Sequence, residues 1–230
     1  MQPEERIIVA LDVPSAQQAR QIVDDIGEAG RFYKIGYQLM PIGGLELAKE
    51  LTDAGKKVFL DFKFHDIGNT VEQGVRSIAQ FGADYLTVHA EPDVLRGAVA
   101  GRAEDPRLKV LAVTVLTSLD QASLTRMGIS TPLGDLVLER AKMAIDSGAD
   151  GIVASAMAAA RLRDALGDDF DIITPGIRPA GAARNDQQRI VTPRDAINNG
   201  ATRLVIGRPI VASDNPAKAH GAIVEELRQI

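Results

Sequence analysis

Cysteine is absent from this sequence, which excludes a disulfide framework and a thiolate metal site and makes the reducing cytosol the natural compartment. Tryptophan is missing too, and aromatic residues make up only 4%, so there is little material for stacking unpaired nucleobases. No apolar run approaches the roughly 20 residues that a membrane span requires. The opening Met1-Gln2-Pro3-Glu4-Glu5-Arg6 is polar and acidic, predicting neither a signal peptide nor an anchor. Positive charge is outnumbered, with a formal net charge of -5 at pH 7, which disfavours nonspecific affinity for nucleic acid or anionic lipid. An anionic substrate would have to be drawn by local Lys and Arg.

What is present suffices for one large core. With 230 residues and 45% hydrophobic content, residues 1–230 are expected to form a single domain of α/β-barrel size. Short β-branched runs alternate with amphipathic stretches, and eight strands are predicted: Arg6 to Asp12, Phe32 to Gly36, Lys57 to Lys63, Tyr85 to His89, Lys109 to Leu116, Gly151 to Ala154, Asp171 to Thr174 and Arg203 to Gly207. Capping spacing, in which a side-chain oxygen can accept from a first-turn N-H, occurs at Ser15/Gln18, Thr70/Gln73, Ser118/Gln121 and Thr192/Asp195. Thr131-Pro132 and Asn215-Pro216 place proline at first helical positions. Ala54-Gly55, Gly82-Ala83, Gly148-Ala149 and Gly200-Ala201 end helices just before new strands, the punctuation of a βα repeat. Near-continuous apolar strands need cover on both faces, so a parallel (β/α)8 TIM barrel is expected.

Three charged groups sit where the apolar run Val58-Phe59-Leu60 ends, in Asp61-Phe62-Lys63-Phe64-His65-Asp66. In an extended strand Asp61 and Lys63 would share one face, with Phe62 and Phe64 on the other. A surface ion pair is the plain reading, contributing roughly 0–1 kcal/mol; clustered, mutually perturbed ionisable groups in a site is the other. The context favours a site, because barrel active sites gather at the strands' C-terminal ends. There the chain places Asp12, Lys34, Asp61, Lys63, Asp66, Thr117, Arg178 and Arg208. Taken singly, Asp12 and Thr117 also suit turns, Thr70 a helix cap, and His65 and His89 the core.

Gly207-Arg208, with Arg178 and Gln187, forms an expected anion cradle: glycine admits backbone N-H groups and guanidinium binds phosphate bidentately. The irregular stretch from Ile177 to Val191 is long for a βα loop and is read as a lid.

These residues carry a resemblance. Asp61, Lys63 and Asp66 within Asp-Phe-Lys-Phe-His-Asp-Ile-Gly-Asn-Thr, together with Ala10-Leu11-Asp12, Tyr33-Lys34-Ile35-Gly36, Thr174-Pro175-Gly176-Ile177-Arg178-Pro179, Asp186-Gln187 and Ile206-Gly207-Arg208-Pro209, resemble the orotidine 5'-phosphate decarboxylase family along essentially the whole chain. The resemblance implies a cytoplasmic enzyme of pyrimidine biosynthesis that converts orotidine monophosphate to uridine monophosphate without metal or organic cofactor. It implies an array of Lys34, Asp61, Lys63 and Asp66 with Lys63 as proton donor. Asp12 would hold ribose hydroxyls, Thr117 the pyrimidine, and Arg178, Gln187, Gly207 and Arg208 the phosphate and closing loop. Asp66 and Thr70 would enter a neighbouring subunit's site, implying a homodimer.

Two alternatives share parts of this pattern. Metal-dependent sugar-phosphate decarboxylases and aldolases have the Asp-x-Lys-x-x-Asp signature but place an acid where this chain has Lys34, and a second cation there would repel a divalent metal. A non-catalytic sensor of phosphate ligands would have no need of carboxylates facing an anion. One departure from the resembled pattern is His89-Ala90-Glu91-Pro92-Asp93, where His-Ala-x-Gly-Gly is often found.

Overall fold

The computed structural model describes residues 1–102, 105, 107–179 and 191–230. Among them, strands and helices alternate as β1 (Ile7–Ala10), α1 (Ala16–Ile26), β2 (Phe32–Ile35), α2 (Gly44–Asp53), β3 (Lys57–Phe64), α3 (Gly68–Ala79), β4 (Tyr85–His89), α4 (Pro92–Arg102) and β5 (Lys109–Val113). Two helices follow, α5 (Gln121–Arg126) and α6 (Leu133–Asp146), then β6 (Gly151–Val153), α7 (Ala156–Leu166), β7 (Asp171–Thr174), α8 (Pro193–Asn198), β8 (Arg203–Ile206), α9 (Arg208–Val211) and α10 (Pro216–Arg228). The strands form a closed parallel barrel in chain order, with Ile7 of β1 paired to Leu204 of β8. The expected (β/α)8 barrel is therefore present. Among the described residues no helix is long and apolar enough to cross a membrane.

The period-two alternation of strand side chains builds two apolar layers. Ile8, Phe32, Phe59, Tyr85, Leu111 and Ile173, with Val153 and Val205, fill the barrel interior, one from each strand. Their neighbours Ile7, Val9, Tyr33, Ile35, Val58 and Leu60 belong to the larger core that also takes in apolar residues of the surrounding helices. At the strands' N-terminal end Arg203 meets Tyr85 and the Glu5 carbonyl, and Lys109 pairs with Asp171 at 3.0 Å.

Glycines Gly55, Gly82, Gly148 and Gly200 have φ of 72°, 70°, 89° and 100°, the left-handed conformation that lets the chain leave a helix and enter a strand. Ser15, Thr192 and Asn215 accept from the N-H of Gln18, Asp195 and Lys218, as their spacing predicts. Two predicted caps are corrected. Thr70 lies inside the first turn of α3, whose N-cap is Ile67. Asp120 rather than Ser118 caps α5, accepting from Ser123 N-H at 2.8 Å, and the Gln121 side chain instead accepts from Leu133 N-H, the first residue of α6, at 2.7 Å. Pro132 is the N-cap of α6, one position ahead of the predicted place.

Where the sequence departs from the resembled pattern, Pro92 is the first residue of α4 and Leu95 N-H bonds to the Glu91 carbonyl at 2.9 Å. Proline is tolerated there because a first-turn N-H has no intrahelical partner. None of Ala90 to Asp93 lines the cavity at the strands' C-terminal end.

Candidate active site

Two strand positions put charge into the barrel mouth. Lys34 follows Phe32 by two residues and Asp61 follows Phe59 by two, so both share the inward side above the interior apolar layer. The Lys34 side chain is 7% exposed and that of Asp61 17%. Lys34 Nζ lies 3.0 Å from Asp12 Oδ1 and 3.5 Å from Asp61 Oδ2. Lys63 Nζ lies 2.8 Å from Asp61 Oδ1. Asp61 is thus bracketed by two ammonium groups, with Asp12 beyond the first. Gly36 leaves room for this pairing, since a Cβ there would stand 3.0 Å from Lys34 Nζ and 3.1 Å from Asp12 Oδ1.

Burial opposes ionisation of Asp61, yet the charges of Lys34 and Lys63 and hydrogen bonds from Lys63 and Thr87 outweigh it and hold its carboxyl below the ordinary value. The group is a carboxylate at neutral pH.

Lys63 reaches this position by a route that simple strand alternation does not foresee. Its φ is 46°, and the β3–β4 register shifts between Leu60 and Phe64. A left-handed non-glycine residue costs about 1–3 kcal/mol and persists only where the surroundings impose it. Here the Lys63 N-H donates to Thr87 Oγ1 at 3.0 Å, and Tyr37 donates to the neighbouring Phe62 carbonyl at 2.8 Å. The Tyr37 ring centroid lies 5.5 Å from Lys63 Nζ, within cation–π reach.

These groups open into a cavity of about 530 Å³ lined by Asp12, Lys34, Asp61, Lys63, Thr117, Gly176, Arg178, Gly207 and Arg208, among others. Gly176 has φ 79°, a turn that suits glycine. The buried Arg178 donates through Nη1 to the Ile177 carbonyl at 2.9 Å. Ile177 bridges Val191, and Arg178 N-H bonds to the Val191 carbonyl at 3.1 Å, so the two ends of the predicted lid meet at the cavity. Gln187 and the other residues from 180 to 190 lie outside the described residues. Arg208 is the first residue of α9, directly after Gly207.

The structure therefore brings together eight of the predicted site residues, Asp12, Lys34, Asp61, Lys63, Thr117, Arg178, Gly207 and Arg208. Asp66 and Thr70 are not among the residues lining this cavity; both are exposed, and Asp66 Oδ1 accepts from Ile67 N-H at 2.7 Å. His65 lies beside His89, ring centroids 4.9 Å apart, with its Nε2 3.1 Å from Glu91. Sequence reasoning missed Thr87, Tyr37 and Gln38, of which Gln38 lines the cavity. The available signal for Thr87 was a hydroxyl in the otherwise apolar strand run Tyr85-Leu86-Thr87-Val88.

A mouth bearing alternating charges, with Arg178 and Arg208 lining the same cavity, suits a substrate that carries an anionic group besides its reacting end. The sequence profile of the orotidine 5'-phosphate decarboxylase / HUMPS family matches residues 5–223. The chain belongs to this family. A protein from Afipia carboxidovorans named orotidine 5'-phosphate decarboxylase is 53% identical over 225 residues, 98% of this chain and 95% of its own length. Another of that name, from a Methylobacterium species, is 53% identical over 99% of this chain and 97% of its own. The crystal structure of orotidine 5'-phosphate decarboxylase from Lactobacillus acidophilus superposes with a TM-score of 0.84 at 38% identity, covering 96% of this chain and 98% of that one. Family membership also agrees with the cavity, since the profile spans every residue named in its lining.

Proposed function

We propose that this protein is a carboxy-lyase that converts orotidine 5'-monophosphate to uridine 5'-monophosphate and carbon dioxide in de novo pyrimidine synthesis, with residues 1–230 acting as one catalytic domain in the cytoplasm. The observation that carries the reading is Asp61 held between Lys34 and Lys63 in the same cavity as Arg178 and Arg208.

Breaking the bond from the sixth ring carbon to the carboxylate releases carbon dioxide and leaves the electron pair on that carbon, in an in-plane orbital that the ring π system cannot delocalise. A preorganised cation is then the effective stabiliser. Lys63 supplies it, held in place by Asp61, and afterwards transfers an Nζ proton to the same carbon; water restores that proton. Lys34 fixes the other carboxylate oxygen and Asp12 meets the ribose hydroxyls. Thr117 faces the pyrimidine. Arg178, Gly207, Arg208 and Gln187 take the phosphate, whose remote binding energy drives closure over the site.

The chemistry requires no metal or organic cofactor on this reading. Lys34 stands where a metal-assisted enzyme would need an acid, and the relatives named above do not favour the sugar-phosphate or sensor alternatives. The net negative charge argues against a nucleic-acid or membrane partner. The partner we propose is a second copy of the chain: Asp66 and Thr70 are exposed beside Ile67, itself 71% exposed, as expected of residues that complete a neighbouring subunit's cavity.

The deciding experiment follows the loss of orotidine monophosphate absorbance with and without a chelator. Equal rates are expected; no turnover, or turnover only with added magnesium, would overturn the assignment.

A further inference from the structure

Thr87 is fully buried, on the strand next to Lys63, and is not among the residues lining the cavity. Its hydroxyl makes two bonds at once. It accepts from the Lys63 N-H at 3.0 Å and donates to Asp61 Oδ1 at 3.0 Å. The same Asp61 oxygen receives Lys63 Nζ at 2.8 Å, so hydroxyl, main chain, carboxylate and ammonium close into a ring.

The arrangement has a physical reason. Between Leu60 and Phe64 the β3–β4 register shifts, so the Lys63 N-H has no regular place in the ladder. A buried amide without a partner is costly, and water does not reach Thr87 to replace its hydroxyl. One oxygen on β4 therefore satisfies the amide created by the left-handed turn and orients the carboxylate facing the lysine. A hydroxyl is the smallest group able to do both, because it donates and accepts.

We infer that Thr87 is a positioning residue of the decarboxylation: it holds Lys63 in its left-handed backbone and aims Asp61, so that ammonium and carboxylate stand ready before substrate arrives. This rests on the decarboxylase reading above. Among the described residues the charged and titratable groups around Asp61 are Lys34 from β2, Lys63 from β3, Tyr37 from the loop after β2 and, beyond Lys34, Asp12 from the loop after β1; Thr87 adds the neutral donor from β4. Loss of that donor removes one of the bonds favouring the carboxylate form.

The test compares Thr87→Val, Thr87→Ala and Thr87→Ser in the full chain, each checked for a cooperative melt, with Ala serving if Val does not fold. For Val or Ala, kcat should fall about 10- to 100-fold, the scale of a misplaced reacting group, with KM for orotidine monophosphate within roughly threefold of the original. Serine, which keeps the hydroxyl, should restore most of kcat. In parallel, carbon NMR of the Asp61 carboxyl should show its titration midpoint raised in Val and Ala and unmoved in Ser. A folded Val or Ala variant with unchanged kcat, or with an unmoved Asp61 midpoint, overturns the inference; so does a Ser variant as impaired as Val. If the unaltered protein does not turn over orotidine monophosphate, the decarboxylase reading falls, and the substrate-free titration still decides whether Thr87 sets Asp61.

Discussion

Lys63 combines a strained backbone with a half-buried ammonium whose side chain is 24% exposed. Strain of this sort gathers where a side chain has to be aimed rather than merely packed. Lys63 is tied to Asp61 through Nζ and to Thr87 through its N-H. Lys63→Ala should still fold, because Asp61 keeps Lys34 and Thr87 as partners. Its turnover should drop by at least about 1000-fold, since charge stabilisation and proton transfer are lost together. Steady-state kinetics alongside a thermal melt checks this; native turnover in a folded sample would remove Lys63 from the chemistry.

Among elements, α3 and α4 pack most intimately through glycine. A Cβ on Gly97 would meet the Gly68 carbonyl oxygen at 2.2 Å, and one on Gly101 would meet the Glu72 carbonyl oxygen at 2.5 Å. Neither contact can be relieved by a side-chain rotation, because the obstacle is backbone. Gly97→Ala should lower the unfolding free energy by about 1–3 kcal/mol, the usual cost of overpacking, measured by urea denaturation. An unchanged midpoint would mean that the helices can separate freely. Gly68 opens the helix that carries Thr70 and follows Asp66, so this packing also sets where those two side chains stand.

At the scale of the whole molecule, pH and assembly are the informative variables. His220 of α10 is 1% exposed, and neither ring nitrogen has a hydrogen-bond partner among the described residues. Burial pushes its pKa down despite nearby Glu4, and burial does the same at His89, helped by His65. Below the ordinary imidazole value near 6.5, the unfolded chain takes up protons that the folded one refuses. Stability from this source is thus present above that value and lost as pH falls toward the depressed folded values. Urea midpoints should decline between about pH 7.5 and pH 5.5, and His220→Gln should flatten the decline; an identical slope would assign it elsewhere. Assembly is tested by mixing subunits. If Asp66 serves the neighbouring site, Lys63→Ala and Asp66→Asn proteins, each inactive, should regain roughly a quarter of full activity after random re-pairing. No recovery in confirmed mixed dimers would confine Asp66 to its own subunit.

By itself the sequence determined the barrel, the order of its eight strands and the gathering of Asp12, Lys34, Asp61 and Lys63 near their C-terminal ends, although most strands stop one to three residues short of the predicted bounds, as β5 does at Val113 rather than Leu116. Side-chain period, glycine punctuation and most helix caps depend on residues a few positions apart, and such local rules can be read along one dimension. Only the tertiary structure decided that Thr87 joins Lys63 to Asp61, that Gln121 caps the helix beginning at Leu133, and that Lys63 takes its place through a left-handed backbone where the β3–β4 register shifts. Each of those depends on register shifts and on elements meeting after the barrel has closed, where the partner of a hydrogen bond is set by distance in space and leaves no spacing in the chain.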